Sequence, residues 1–286
     1  MTRRPLLAAG AVVLVVVVAG AALFAASVAR VSGRHAAAVS VLESTRQHNN
    51  AVHASLTDPA LAAELNNANS VRDAKAAMDD YRAKMGGAIR TVQSQLADLK
   101  ASQADLRAAD GDPLTFSGRA QLSHDRARVD AATNAFDSAD KFLTITDSHL
   151  RVFNATLAGL VELANINAFV NANDISGGLG LFPQLKQQLQ SAATIAQGPQ
   201  VPPQLRALID ALSHAADDLN QALVALQNHD TGALARLGPT LDADSRAIDA
   251  SFDAQGLAAF EHQLLDPYRL RYETEMRKAG FVVTTS

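Results

Sequence analysis

The pattern of polar and apolar positions opens with a gap. From Pro5 to Ala29 no side chain is charged. As a helix these 25 residues reach about 37 Å, against about 30 Å for the hydrocarbon core of a bilayer, so the run predicts a transmembrane helix with some tilt. Its length exceeds a usual signal-peptide core, which favours a retained anchor, although Ser27-Val28-Ala29 also offers a small-x-small cleavage pattern. Arg3 and Arg4 precede the run and Arg30 and Arg34 follow it, so the flanking charge is close to a tie. The arginines that abut the run at its start assign residues 1–4 to the cytoplasm and 5–29 to the membrane. The bulk of the chain is then extracytoplasmic, on a single-pass protein of the cell membrane.

Beyond the run the periodicity is helical throughout, and no alternating apolar stretch predicts a strand. Residues 30–58 form a helical stalk after a brief weakness at Ser32-Gly33, with Val39, Leu42, Val52 and Leu56 on one face and Arg46 and Asn49 breaking it. Thr57-Asp58-Pro59 stops that helix and starts the next, expected over Pro59 to Ala109. Its stripe runs Met78, Tyr81, Met85, Ala88, Val92, Gln95, Leu99, Ser102, Leu106. Gly86-Gly87 inside it predicts a close helix crossing, with a flexible joint as the alternative. Ala109-Asp110-Gly111-Asp112-Pro113 is a strong turn.

From Gly118 to Asn171 the heptad is uninterrupted: Val129, Ala132, Phe136, Ala139, Leu143, Thr146, Leu150, Phe153, Leu157, Leu160, Ala164. Flanking Phe142, Ile145, Val152, Val161 and Leu163 widen the stripe beyond a two-stranded seam, which predicts a bundle. The two long helices are expected to form an antiparallel hairpin and a rod, with 59–197 as hairpin and bundle. Asn173 to Phe182 reads as a glycine-rich loop. Its Ile175, Gly177, Gly178, Leu179, Gly180, Leu181 and Phe182 either tuck over the bundle end or form a contact loop for a partner. Gly198 to Pro203 reads as a stiff linker and subdomain boundary. Residues 203–280 supply C-terminal helices that pack on the bundle, with Pro267 expected to kink the last one, and 281–286 read as a frayed tail. The fold class is all-α: one N-terminal transmembrane helix, then an elongated antiparallel helical bundle.

Composition narrows the function. Setting aside Arg3 and Arg4 leaves 23 basic side chains against 29 acidic, a mildly acidic body that argues against nucleic acid and against a polybasic grip on lipid. There is no Cys and no Trp, so disulfides, thiolate sites and tryptophan platforms are excluded.

Candidate chemistry is sparse. The eight histidines form no HExxH, and no Glu stands three residues before a His, as a carboxylate-bridged di-metal bundle needs. His149 and His214 read as boundary histidines. Asp110-x-Asp112 begins like a calcium loop, but position 121 is Gln. No GxSxG is present. Tyr268-Arg269-Leu270-Arg271-Tyr272 suits a headgroup surface, but Glu273 and Glu275 favour a salt-bridged helix face. No enzyme, metal or cofactor is therefore expected. The leading expectation is a membrane-anchored protein acting by protein–protein interaction or scaffolding in the cell envelope. The alternative is an extracytoplasmic ligand-binding or sensory bundle that reports through a partner. It resembles, in architecture alone, the extracytoplasmic helical domains of bacterial chemoreceptors. A cavity of about 300 Å³ or more with converging polar groups favours the alternative.

Overall fold

The computed structural model describes residues 4–57, 64, 67–198, 200–251 and 253–283, with side chains from residue 20 onward except that of residue 254. Every regular element among them is helical. In order they are α1 (Arg4–Thr57), α2 (Val71–Ala109), a 3-10 segment (Pro113–Gly118), α3 (Arg119–Asn171), α4 (Ile175–Gly180), α5 (Phe182–Ala196), α6 (Pro203–Gln227), α7 (Thr231–Ser251) and α8 (Ala254–Lys278).

Helix starts follow local side-chain chemistry. The described part of α2 begins at Val71, where Ser70 is the N-cap: the Asp73 amide donates to Ser70 Oγ at 3.1 Å and Ser70 Oγ donates to Asp73 Oδ2 at 2.8 Å. The Asp58-Pro59 start signal lies outside the described residues. Asp112, Asp174, Asp230 and Asp253 each accept a backbone amide at the start of a later helix. α1 carries through Ser32-Gly33 unbroken. The stretch expected as a glycine-rich loop is helical: Asp174 caps α4 by accepting from Gly177 N at 2.8 Å, and Phe182 opens α5.

The contacts gather the chain into two compact units, each drawn from separated stretches. Unit 1 comprises Met1–Ala54, Arg90–Asp140 and Leu270–Ser286. Its core includes Leu42, Val92, Leu99, Val129, Phe136 and Tyr272, each 3% exposed or less. The α1 seam runs Val31, Ala38, Leu42, Thr45, Asn49, Val52. Asn49 therefore lies on the stripe, while Val39 is exposed. Buried Gln95 is satisfied from α1: it accepts from Ser44 Oγ at 2.8 Å and donates to Thr45 Oγ1 at 3.0 Å. The α2–α3 pairing is antiparallel here, since Gln93 donates to Asp140 and Gln103 to Asp130. The segment after α8 is tied down: Arg128 Nε donates to Ala279 O at 3.0 Å and Asn49 Nδ2 to Val282 O at 3.0 Å, so it is no frayed tail up to residue 283. Residues 284–286 lie outside the described ones.

Unit 2 comprises Ser55–Ile89 and Lys141–Arg269. The two helices are antiparallel here also, with Arg72 donating to Asn165 and Asn154 to Asp79. α6 packs on α7 and α5, and α4 lies against both α5 and α6. One core cluster joins Ile166, Phe182, Leu185, Leu189, Leu212, Ala216 and Leu223; a second joins Val152, Ala192, Ala196, Val201, Leu205 and Ile209. The expected linker is built into the second cluster. Val201 is 3% exposed, and Arg206 Nη2 donates to Gly198 O at 2.7 Å, so the proline-rich turn lies inside one unit instead of dividing two. Pro199 lies outside the described residues. At Gly87, one of the two glycines of the expected crossing, a Cβ would meet nothing within 4 Å.

Among the described residues one helical stretch, Pro113–Asn171, has the length and apolar content to cross a membrane. It supplies core positions to both units, and a core helix passes the same test. The run 5–29 is not singled out in this way; its side chains up to residue 19 lie outside the described ones.

Candidate functional site

The α3 heptad is nearly solid in unit 1, where Val129, Ala132, Phe136 and Ala139 are all fully buried. In unit 2 the most buried face shifts to Val152, Thr156, Gly159 and Ile166, where α5 docks. A Cβ on Gly159 would lie 3.0 Å from Leu189 Cδ2, so this glycine permits the close α5 approach. The original stripe residues Thr146, Leu150 and Phe153 are left facing open space, and that space is a partly open cavity of about 700 Å³.

Four elements build its wall. α3 contributes Phe142, Thr146, His149, Leu150 and Phe153; α2 contributes Met78 and Tyr81. The end of α1 adds Ser55, Leu56 and Thr57. One face of α8 closes the side with Leu257, Glu261, Leu265 and Arg269 at helical spacing, flanked by Ala258, His262 and Asp266. Leu56, Met78, Tyr81, Phe142 and Leu150 are all at most 9% exposed, so the floor is apolar.

Polar groups converge at two places. His149 is 2% exposed, and its Nε2 lies 2.7 Å from the Gln200 carbonyl. A carbonyl only accepts, so Nε2 carries the hydrogen and donates it. Nδ1 then faces Glu261 Oε1 at 3.4 Å across the cavity wall. At the mouth Asp266 takes contacts from Arg269 Nη2 at 3.3 Å and from His262 Nδ1 at 3.3 Å. The cavity thus offers an apolar floor, a pair formed by the buried His149 imidazole and the Glu261 carboxylate, whose side chain is 37% exposed, and a second charged cluster at its edge. No protein-family model, curated protein or solved structure matches the chain. The residues themselves carry the argument.

The candidates read from sequence fall elsewhere. In the 175–182 stretch Phe182 and Gly178 are buried, and Ile175, Leu179 and Leu181 pack against the Ile166–Leu185 cluster. Gly177 and Gly180 complete α4. These apolar side chains face inward, as the tucked arrangement requires. Tyr272 is fully buried, and Glu273 and Glu275 pair with Arg277 and Lys278, as a salt-bridged face requires. His149 is not at a boundary but inside. Asp79 lies off the cavity; the Lys75 ammonium, which donates to it, holds its carboxyl below the usual carboxylate range. Asp244 on α7 is shifted upward, first by burial and then by the Asp218 carboxylate. Among the described residues no group of three or more His, Asp or Glu side chains is placed to hold a metal ion.

The sequence held no signal for the cavity: the stripe through Thr146, Leu150 and Phe153 keeps the same spacing as the filled stripe before it. A heptad cannot report whether the volume facing it is filled.

Proposed function

We propose that the protein is a membrane-anchored, extracytoplasmic helical bundle that binds an apolar small molecule bearing a polar end group, and that it passes this state to a protein partner. The observation that carries the binding reading is the cavity of about 700 Å³ whose apolar floor is met by the His149–Glu261 pair. Its size lies within the usual range for ligand sites, roughly 300–1,000 Å³. An apolar body buried on Met78, Phe142 and Leu150 supplies affinity, and the His149–Glu261 pair orients the polar end. The anchor reading rests on the uncharged run 5–29 and on the arginines that bracket it. Scaffolding in the envelope, without a ligand, is the rival; it has no use for an unfilled cavity.

Thermal unfolding of the full-length protein with straight-chain alkyl carboxylates, amines and alcohols of increasing length decides between them. Binding raises Tm with chain length and ranks the three end groups. Thr146→Phe fills the floor, and the hydroxyl it removes bonds the Phe142 carbonyl one turn back in its own helix, so the variant is expected to fold and to lose the Tm response. No response from any chain length, with partners captured by crosslinking in native membranes, returns the assignment to scaffolding.

A further inference from the structure

The turn that joins α2 to α3 does not end in water-facing polarity. Phe116, in the 3-10 segment, is 52% exposed, and its ring sits 6.4 Å from that of Phe24 on α1, which is 55% exposed. Leu23 and Val28 extend the same exposed apolar surface at 54% and 45%. This patch is not loosely placed. Ser27 is fully buried and its Oγ hydrogen-bonds Ser117 Oγ at 2.7 Å. Gly118 packs so closely on α1 that a Cβ there would lie 2.2 Å from Val31 Cγ1. Just beyond, Arg30 and Arg34 converge on Asp112 at 2.7 and 3.5 Å.

These residues therefore stand in a fixed order along α1: an uncharged run, an aromatic pair shared with the turn, a hydroxyl lock, then a charged cluster. We propose that Phe116, with Phe24 and Leu23, forms a second membrane contact: the hairpin tip seats in the lipid interface beside the anchor. This rests on the anchor reading given above. The lengths favour the lipid surface as the occupant. Pro5 to Phe24 is 20 residues, about 30 Å of helix, which matches the hydrocarbon thickness. The apolar run is longer than that, and its surplus, residues 25–29, is the part whose Ser27 face is covered by Ser117. Phe24 and Phe116 then lie where hydrocarbon gives way to headgroups, the level at which aromatic side chains collect, and the Arg30–Asp112–Arg34 cluster lies among the headgroups. The exposed patch is continuous with the span, so lipid that meets the one meets the other.

The chain has no tryptophan, so single reporters can be read without background. Full-length Phe116→Trp and Leu14→Trp, the second at the middle of the apolar run, are reconstituted separately into phosphatidylcholine vesicles. The lipids are brominated at successive positions along the acyl chain. Phe116→Trp is expected to emit at shorter wavelength than in detergent-free unfolded chain and to lose most of its intensity to bromines nearest the headgroup. Leu14→Trp is expected to lose most to bromines deep in the chain. Quenching of Leu14→Trp with Phe116→Trp unquenched overturns the tip contact and leaves the anchor standing. An unquenched Leu14→Trp overturns the anchor, and the tip contact falls with it.

Discussion

The Tyr272 hydroxyl donates to Asn49 Oδ1 at 2.8 Å, between two residues that are 0% and 3% exposed. Asn49 answers with its own amide, donating to the Val282 carbonyl at 3.0 Å, and the Phe136 ring lies 6.1 Å from the phenol. Burial pushes the Tyr272 hydroxyl well above its ordinary range. Removing the hydroxyl strands a buried acceptor, so Tyr272→Phe is expected to cost about 1–3 kcal/mol in urea unfolding at neutral pH. The folded pKa is raised, so the folded chain holds this proton more tightly than the unfolded one. The contribution is complete below the unfolded value of about 10 and is lost as pH rises beyond it toward the folded value. The gap between wild type and Tyr272→Phe should therefore narrow in urea titrations taken to strongly alkaline pH.

α8 ends in a Schellman motif: Phe281 N donates to Met276 O at 3.0 Å and Gly280 N to Arg277 O at 3.0 Å, with Gly280 at φ +87°. Phe281 and Met276 are both buried, completing the hydrophobic contact of the motif. Gly280→Ala forces a side chain into the left-handed region and is expected to lose about 1–2 kcal/mol by urea unfolding. An unchanged midpoint would show that the end of α8 relaxes without cost.

Gly118 permits the approach of the 3-10 segment to Val31. Gly118→Ala overpacks that contact and is expected to destabilise by about 1–3 kcal/mol. Val31→Ala opens the space, so the double variant should recover part of the Gly118→Ala loss. A double-mutant cycle with no coupling would mean that the two do not touch in solution.

Gly87 is the opposite case. It lies in the interior of α2 with open space where its Cβ would be. Gly87→Ala is expected to stabilise by about 0.5–1 kcal/mol, measured as a rise in urea midpoint, because only the backbone entropy term changes.

The helices were legible because heptads are written in residue type alone. The α2 stripe from Met78 to Leu106 and the α3 stripe from Val129 to Leu143 recur in the structure almost residue for residue. Boundaries were less legible: the described part of α2 starts at Val71, where the Ser70 hydroxyl and the Asp73 carboxylate bond each other, while Asp58-Pro59 lies outside the described residues. Asn173 to Phe182 reads as a loop on glycine propensity alone; the Asp174 cap and the core that holds Ile175 and Leu179 make residues 175–180 helical. Asn49 looked like a break in a stripe, since its partner Tyr272 cannot be inferred from neighbours in the chain. The cavity was illegible for a related reason. Thr146, Leu150 and Phe153 have the same pattern whether they touch another helix or face an opening.

Unit 1 takes its residues from three widely separated stretches, and the Asn49–Tyr272 bond spans 223 positions. During synthesis α1 emerges long before the helix that covers Asn49 and Val52 exists, whereas all of unit 2 lies inside the interval. Such long-range closure slows assembly and leaves an apolar seam unsheltered while the polypeptide is still growing. The order of events is then dictated by connectivity: unit 2 can consolidate first, and unit 1 is sealed only once α8 has been made. A nascent chain stopped short of Leu270 would present that seam to chaperones and proteases.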